Sequence, residues 1–257
     1  MKILFAAHNG VGGVARHSNE LLANLPSALR PPQELIAHRA TSGTGIAGRA
    51  RRATTDSLSL ARVARECDVV HLPDYRVPFG VRKPAILTIH DLYFLECPEW
   101  YPRLTAAYKR QMLYKSLAAD IRAIVCVSQF SRSQLCRLVP EARRRNVHVV
   151  IPGVRATSWS EELSSPLPQK YFLTVGTIEP RRNLRTLHSA FSKARQSGLD
   201  LEWVIAGNPG YLAKPILREL LDRRIGRVER LTVGAYEEHV LARPTLEGRD
   251  VGAERQV

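Results

Sequence analysis

Residues 176–183, Gly-Thr-Ile-Glu-Pro-Arg-Arg-Asn, combine a glycine turn with two adjacent arginines, Arg181 and Arg182. They follow the short apolar run of residues 171–175 and precede a helical pattern that begins at Leu184. A strand that runs into a glycine turn and then a helix places backbone N–H groups and the positive end of a helix dipole at the carboxyl edge of a sheet. The stretch therefore predicts an anion site. The structural alternative is a solvated helix start in which Glu179 serves as the counter-charge of the arginines.

Polar side chains also follow two β-branched apolar runs, residues 68–72 and 85–89, and the second run ends in His90-Asp91. Such runs are typical of strands that are covered on both faces in a parallel sheet. A histidine at the carboxyl end of such a strand can donate a hydrogen bond to a substrate, and the alternative is a strand-end histidine capped by its neighbour. Three other histidines lack the spacing of metal ligands and are interpreted as ordinary polar residues: His8, His17 and His71.

A second glycine turn, residues 9–13, follows the apolar run of residues 2–7. Gly12 and Gly13 either form a tight turn or let backbone N–H groups approach a ligand closely. A helix is predicted over residues 14–25, ended by Pro26. Strand, glycine turn and helix open a Rossmann-like unit, although the glycine spacing is not that of dinucleotide-binding proteins.

Alternating strands and helices must position these residues, which predicts a parallel α/β fold. The predicted strands cover residues 2–7, 34–38, 68–72, 85–89, 123–127, 148–151, 171–175, 201–206 and 228–233. The predicted helices cover residues 14–25, 57–65, 104–119, 184–196 and 212–222, with a further helix that begins at Ser128 as N-cap. Residues 41–55 are expected to form a mobile loop.

An aromatic and acidic loop is predicted over residues 92–103, and Trp100 is one of the side chains that could line a pocket for a ligand. Packing of these rings in the core is the alternative. The following helix carries Lys109, Arg110 and Lys115. This helix is either a plain surface helix or a face that rests on an anionic membrane.

The composition and net charge of the chain favour some classes of function over others. The chain has 257 residues, 44% of them hydrophobic, and a formal net charge of +14, which fits a globular protein with one or two domains. The basic residues are spread along the chain with few aromatics between them, which favours anionic substrates or a membrane face over a nucleic-acid partner. The first apolar run is shorter than a signal peptide requires, nowhere do 18 apolar residues follow one another, and the four cysteines include no Cys-x-x-Cys pair. We expect a cytoplasmic protein, or one that rests on the inner face of the cell membrane.

Six pieces of the sequence, in this order, resemble the family 4 glycosyltransferases of the GT-B architecture. The pieces are residues 10–13, Ile89-His90-Asp91, Val127-Ser128-Gln129-Phe130-Ser131-Arg132, Ile151-Pro152-Gly153-Val154, residues 175–183 and Ala206-Gly207-Asn208-Pro209-Gly210. The resemblance implies two Rossmann-like α/β domains that face each other. It also implies transfer of a sugar from a GDP- or UDP-linked donor to a cell-surface glycan or lipid-linked acceptor, with retention and without a metal or other cofactor. Mannosyl transfer in polysaccharide biosynthesis is the type of reaction expected.

The same resemblance implies roles for individual residues. His90 is expected near the transferred sugar as the catalytic residue, donating a hydrogen bond to a sugar hydroxyl or to the emerging charge. The donor diphosphate is expected at Arg181, Arg182, Gly12 and Gly13; the family usually has Arg-Lys-Asn where this chain has Arg181-Arg182-Asn183. The nucleotide is expected next to Gly176, Asn183, Gly207 and Asn208. The acceptor side is expected to include Asp91 and Trp100.

The chain departs from the family after Asp222, where no Glu-x7-Glu pair stands in its usual setting. We therefore expect a chain truncated at its C-terminus and an incomplete second domain. The expected organisation is a first domain over residues 1–152, a linker over residues 153–168, a partial second domain over residues 169–235 and a poorly ordered tail over residues 236–257. The alternative function is a non-catalytic remnant that binds a nucleotide or glycan, alone or with a partner chain.

Overall fold

The computed structural model describes residues 1–7, 12–39, 56–153, 170–221 and 231–234. The chain divides into two compact units, Met1–Ala156 and Thr157–Val257. The predicted mobile loop at residues 41–55, the expected tail, and all of the expected linker except Gly153 lie outside the described residues.

The first unit is built on one sheet of six parallel strands in the order β2-β1-β3-β4-β5-β6. Its strands are β1 Lys2–Ala7, β2 Glu34–Arg39, β3 Val69–Leu72, β4 Ala85–Ile89, β5 Ile121–Cys126 and β6 Val147–Val149. The helices of the unit are α1 Gly13–Ala28, α2 at residues 56–64, α3 Tyr93–Glu96, α4 Arg103–Leu117 and α5 Gln129–Leu138. Short 3₁₀ helices lie at Pro98–Trp100 and Pro140–Arg144.

The core of this unit lies along the four central strands. Leu4, Val70, Leu87 and Ile124, one from each of these strands, have no exposed surface. Parallel strands need covering on both faces, which explains why their sequences are runs of aliphatic residues rather than alternating patterns. All four cysteines are free thiols, with Cys67 and Cys126 buried and Cys97 and Cys136 half-buried.

Two predictions for the first unit are wrong in detail. The first helix does not end before Pro26 but contains it and continues to Ala28. A proline ring fits helical φ, and so close to the end of a helix it removes only one backbone hydrogen bond. The segment after Leu92, predicted as a loop, contains α3 and the first 3₁₀ helix, because Phe94 is drawn into the core and folds its neighbours into a turn.

The second unit is built on a sheet of three parallel strands in the order β7-β8-β9. The strands are β7 Tyr171–Val175, β8 Glu202–Ala206 and β9 Leu231–Gly234, and the helices are α6 Leu184–Gln196 and α7 Ala213–Leu221. A 3₁₀ helix covers Pro180–Arg182. The core packs around Trp203, which has no exposed surface, together with Ile178, Phe191 and Ile205.

The edge strand β7 and the central strand β8 of this smaller sheet differ in how far their side chains are covered. Within the described residues, β7 pairs with β8 on one edge only. Phe172, Leu173 and Val175 of β7 are 40%, 42% and 57% exposed, whereas Trp203 and Ile205 of β8 are fully buried. The sequence of β7 is thus that of a covered strand, while its side chains remain accessible.

These two parallel sheets confirm the predicted α/β class, with the second unit the less complete among the described residues. The predicted bounds of β1, β4, β7 and α6 match the observed ones residue by residue. None of the helices within the described ranges is long and apolar enough to cross a membrane.

Candidate functional site

His90 lies directly after β4, and a hydrogen bond fixes its ring. The Nε2 atom is 3.0 Å from the carbonyl oxygen of Pro73. A carbonyl oxygen only accepts hydrogen bonds, so Nε2 carries the proton and donates. In the neutral ring Nδ1 is therefore the unprotonated nitrogen, and it can act as an acceptor.

The backbone around His90 is held by α5, which explains the serine-rich motif at the start of that helix. Ser128 caps the helix by accepting from the Ser131 backbone N–H at 3.0 Å, as its sequence position predicted. The Ser131 hydroxyl donates to the His90 carbonyl oxygen at 2.8 Å. Two residues on, the Leu92 N–H donates to the side-chain oxygen of buried Gln134 at 3.0 Å. Two side chains of α5 therefore anchor the loop that carries His90.

Two further histidines meet at this end of the sheet, although sequence analysis interpreted both as ordinary polar residues. His17 of α1 packs edge-on against His90, with 5.1 Å between ring centroids. His71 of β3 places Nε2 3.2 Å from the Thr88 hydroxyl of β4. Burial, and then the charge of His17, lower the pKa of His71 to about 4. Burial, and then the charge of His90, lower the pKa of His17. Close imidazoles in a poorly solvated setting favour their neutral forms.

The predicted acceptor-side residues lie along one aromatic stretch. Asp91 accepts a long hydrogen bond, 3.4 Å, from the Tyr93 N–H. The ring of Tyr93 packs 5.5 Å from the Trp100 ring and 6.4 Å from the Phe130 ring, measured between centroids. Phe130 is 58% exposed. Asp91 and Trp100 are therefore linked through Tyr93, at the edge of an aromatic surface that is open to solvent.

The first glycine turn begins α1. Gly12 is the N-cap of α1, no side chain caps the helix, and its first turn contains no acidic residue. Uncapped N–H groups at a helix start attract anions. Within the described part of the chain, which leaves out residues 8–11, a Cβ atom on Gly12 or Gly13 would meet nothing within 4 Å.

In the second unit, the loops that follow β7 and β8 interlock through their backbones. The Gly176 N–H donates to the Ala206 carbonyl at 2.8 Å, and the Ile178 N–H donates to the Asn208 carbonyl at 2.9 Å. A Cβ atom on Gly207 would stand 1.9 Å from the Gly176 carbonyl oxygen. Only glycine fits at such a close approach of two backbones. The predicted nucleotide-adjacent residues Gly176, Gly207 and Asn208 therefore form one rigid surface.

The two arginines of this surface are held differently. The Arg182 guanidinium lies against Gly176: its central carbon would be 3.0 Å from a Cβ built there, and Gly176 has φ 138°. Arg182 is exposed and has no ion pair with a carboxylate of the described residues. Arg181 instead pairs with Glu179, with 2.5 Å between Nε and the carboxylate oxygen. Among the described residues, Arg182 is therefore the arginine of this loop that has no carboxylate partner.

Arg181 and Arg182 lie in the 3₁₀ turn before α6, which begins at Leu184 as predicted. Asn183 stands between the two elements in the left-handed conformation, at φ 50° and ψ 42°, and makes no side-chain cap hydrogen bond to α6. Its side-chain oxygen instead accepts from the Thr186 hydroxyl at 2.9 Å. The first N–H groups of α6 are thus left without a capping side chain, close in sequence to Arg182.

Among the described residues, no group of three or more histidine, cysteine, aspartate or glutamate side chains could hold a metal ion. The first unit offers a histidine cluster beside an aromatic surface. The second unit offers an uncompensated arginine beside a glycine-rich loop and an uncapped helix.

Comparison with known proteins finds a matching family, a similar curated protein and similar solved structures. Residues 11–158 match the family model described as Glycosyltransferase Family 4. The chain is 31% identical over 134 residues to O-antigen chain mannosyltransferase B from Escherichia coli, an alignment that covers 48% of this chain and 34% of that protein. The chain therefore spans about a third of the length of the curated relative it matches.

Two solved structures are also similar. The structure described as trehalose-6-phosphate from E. coli bound with UDP-2-fluoro glucose has a TM-score of 0.47 and 11% identity, covering 93% of this chain and 74% of that chain. Arabidopsis thaliana UGT89C1 complexed with UDP-L-rhamnose has a TM-score of 0.39 and 10% identity, covering 91% of this chain and 68% of that chain.

Proposed function

The chain belongs to glycosyltransferase family 4, and on this premise we propose that it transfers a sugar from a nucleotide-sugar donor to a cell-surface glycan or lipid-linked acceptor. The donor is GDP- or UDP-linked, the anomeric configuration is retained, and no metal ion takes part. The name of the Escherichia coli relative favours mannose as the sugar.

The observation that carries this proposal is the position of Arg182. Breaking the bond between sugar and diphosphate leaves negative charge on the diphosphate oxygens, and a fixed cation at that place stabilises the transition state. Arg182 lies against Gly176 without a carboxylate partner among the described residues. Arg181 contributes less net charge, because Glu179 is paired with it.

His90 supports the sugar side of the proposal. Its Nε2–H is committed to the Pro73 carbonyl, so the neutral ring binds a sugar hydroxyl by accepting at Nδ1. Donation from Nδ1, the role expected from the sequence, requires the protonated ring. The Ser131 hydrogen bond holds the backbone of His90, and the Pro73 carbonyl holds its ring, which reduces the ordering that substrate binding must supply.

The acceptor side is proposed at Asp91 and the aromatic surface beside it. Sugar rings present apolar C–H faces and hydroxyl edges, which suit a ring such as Trp100 next to a carboxylate that accepts hydrogen bonds. Asp91 makes only a weak hydrogen bond to the Tyr93 N–H at 3.4 Å, so its carboxylate retains acceptor capacity for hydroxyl groups.

The test is calorimetric titration of the full chain with GDP and with UDP, comparing Arg182→Ala with Arg181→Ala. A hydrogen bond to a charged group contributes about 1.5–3 kcal/mol, so Arg182→Ala is expected to weaken nucleotide binding about 10- to 100-fold. Arg181→Ala is expected to weaken it much less, since that side chain already has Glu179 as partner. Equal losses in the two variants would contradict the role given to Arg182.

Turnover then distinguishes the enzyme from a binding module. The wild-type chain is incubated with GDP-mannose and with UDP-glucose, and release of the free nucleotide is measured with and without His90→Ala. Release that disappears in the variant supports sugar transfer. Nucleotide binding with no release in the wild-type chain supports the alternative, a non-catalytic module that binds a nucleotide or glycan.

A further inference from the structure

Helix α4 exposes an apolar strip along one side. Leu104 is 86% exposed, Tyr108 is 50% exposed and Tyr114 is 46% exposed. Together with Ala107 and Ala118, these three residues line one shallow surface depression. These five residues, which we call the α4 stripe, lie on one side of the helix at helical spacing; Ala118 is the C-cap that directly follows the helix. A helix that only faces water has no need of apolar side chains at these positions.

The fold itself uses the other side of α4. Ala106, Leu113 and Leu117 of that side are buried. Lys109 belongs with them, because the residue is half-buried and its ammonium group lies 4.8 Å from the centroid of the Tyr101 ring. Packing within the unit therefore accounts for Lys109 but leaves the α4 stripe uncovered.

The surroundings of the α4 stripe are positively charged. The helix carries four basic residues and no acidic one: Arg103, Lys109, Arg110 and Lys115. Arg110 and Lys115 line the same depression as the stripe. The acids nearest in sequence, Glu99 and Asp120, lie beyond the ends of the helix, and Asp120 is 3.7 Å from Arg122. The uncovered side of α4 is thus apolar and cationic together.

We propose that the α4 stripe docks on an anionic lipid surface. Leu104 and the tyrosine rings enter the headgroup region, while Arg110 and Lys115 reach the lipid phosphates. Tyrosine suits this boundary because its ring is apolar and its hydroxyl is polar. The proposal goes beyond sugar transfer and does not depend on it.

The charge of α4 argues against a second copy of the chain as occupant. A two-fold interface would bring Arg110 and Lys115 of both copies together, with no carboxylate on the helix to pair with them. Like charges in one interface weaken association. An anionic surface instead gains from each of these side chains.

The experiment measures cosedimentation of the full chain with vesicles of phosphatidylcholine and with vesicles that also contain phosphatidylglycerol. The wild-type chain is expected to bind the anionic vesicles, and to bind them less as salt is raised. Each basic residue at such a surface contributes about a fivefold factor, so the double variant Arg110→Glu/Lys115→Glu is expected to bind at least about 25-fold more weakly. Leu104→Ser/Tyr108→Ser is expected to lose about 10-fold or more through the apolar contact.

Matched controls separate the α4 stripe from the general charge of the chain. Arg62→Glu/Arg82→Glu lowers the net charge by the same amount as the α4 charge variant, from +14 to +10, and leaves α4 unchanged. Phe79→Ser removes a side chain that is 82% exposed at another surface. Both controls are expected to bind anionic vesicles within about twofold of wild type.

Three results would overturn the proposal. The first is absence of binding to anionic vesicles by the wild-type chain. The second is an equal loss in the α4 charge variant and the Arg62→Glu/Arg82→Glu control, which would assign binding to net charge alone. The third is a dimer in sedimentation velocity that Leu104→Ser/Tyr108→Ser converts to a monomer, which would assign the stripe to a second copy. The assay uses no sugar donor, so its outcome is independent of the nucleotide titrations.

Discussion

The carboxyl ends of the two sheets are stabilised in different ways. In the first unit, hydrogen bonds of side chains stabilise this end. His90 is fixed by the Pro73 carbonyl and by Ser131, and His71 lies beside Thr88. In the second unit, close packing of the backbone stabilises this end. Gly176 and Gly207 approach each other so closely that no side chain fits between them. The first arrangement depends on the protonation state of the histidines, and the second depends on the absence of side-chain volume at the glycines.

The difference follows from what each end presents to a ligand. An imidazole must keep a defined tautomer and orientation to hydrogen-bond a sugar hydroxyl, which requires partners for its other nitrogen and its backbone. A diphosphate binds to positive charge and N–H groups that are held on a rigid surface. Close backbone packing provides this rigidity. Changes that add volume should therefore act on the second unit, and changes of pH should act on the first.

The largest effect is expected from Gly207→Ala. The added methyl group would overlap the Gly176 carbonyl oxygen, so the two loops must separate. We expect the second unit to lose about 3 kcal/mol or more of its free energy of unfolding. Hydrogen–deuterium exchange should show faster exchange in β7 and β8 with little change in β3 and β4.

The control for this prediction is Gly13→Ala, which adds the same methyl group where nothing lies within 4 Å. It is expected to leave exchange in both units close to wild type. Loss of protection across both units in Gly207→Ala would show that the interlocked loops matter for the whole chain, and would break the comparison.

A smaller effect is expected from acid. The pKa of His71 is about 4 in the folded chain because of burial, against about 6.5 when unfolded. Between these values the unfolded chain binds the additional proton, so stability is present above pH 6.5 and is lost as pH falls toward 4. The loss between pH 7 and pH 5 is about 2 kcal/mol from this group.

This pH dependence is measured by urea unfolding of the wild-type chain and of His71→Gln at pH 7 and pH 5. The amide of Gln reaches about as far as Nε2 of His71, so it can still bond with the Thr88 hydroxyl, but it does not titrate. The variant should lose clearly less stability on acidification than the wild type. Identical losses would mean that other groups carry the acid sensitivity.

The smallest effect is expected from a pair of histidine-to-phenylalanine changes. His188 of α6 is buried against Trp203, and its Nε2 atom has no hydrogen-bond partner. His188→Phe removes this unsatisfied atom and should raise the free energy of unfolding by about 1 kcal/mol. His71→Phe should lower it by about 1 kcal/mol, since it leaves the buried Thr88 hydroxyl without its partner. Urea unfolding at pH 7.5 measures both, and changes of the same sign would contradict the contrast.

Most of the fold could be predicted from local patterns. Aliphatic runs bounded by glycine or by polar residues gave β1, β4 and β7, and apolar residues at helical spacing gave α6. Local rules failed where packing decided the outcome. Pro26 stays in its helix, and Phe94 folds a predicted loop into α3 because its ring enters the core.

The candidate site could be predicted only where its parts are contiguous. The arginines, their glycine turn and the counter-charge Glu179 stand in one stretch of sequence, so both the anion-site interpretation and its structural alternative were visible. His17, His71 and His90 meet only because β1, β3 and β4 are neighbours in the sheet. Sequence spacing carries no information on that order, so His17 and His71 were interpreted as ordinary polar residues.

The accessible strand β7 has a consequence for how this protein behaves at high concentration. Among the described residues no strand pairs with the outer edge of β7, and this edge, with the exposed side chains of Phe172, Leu173 and Val175, forms a template on which another extended segment can add. Such edges recruit partly unfolded chains and start ordered aggregates, unless charge or proline blocks them. We expect solubility to be limited by this strand, and Leu173→Lys to raise the concentration at which the protein begins to precipitate.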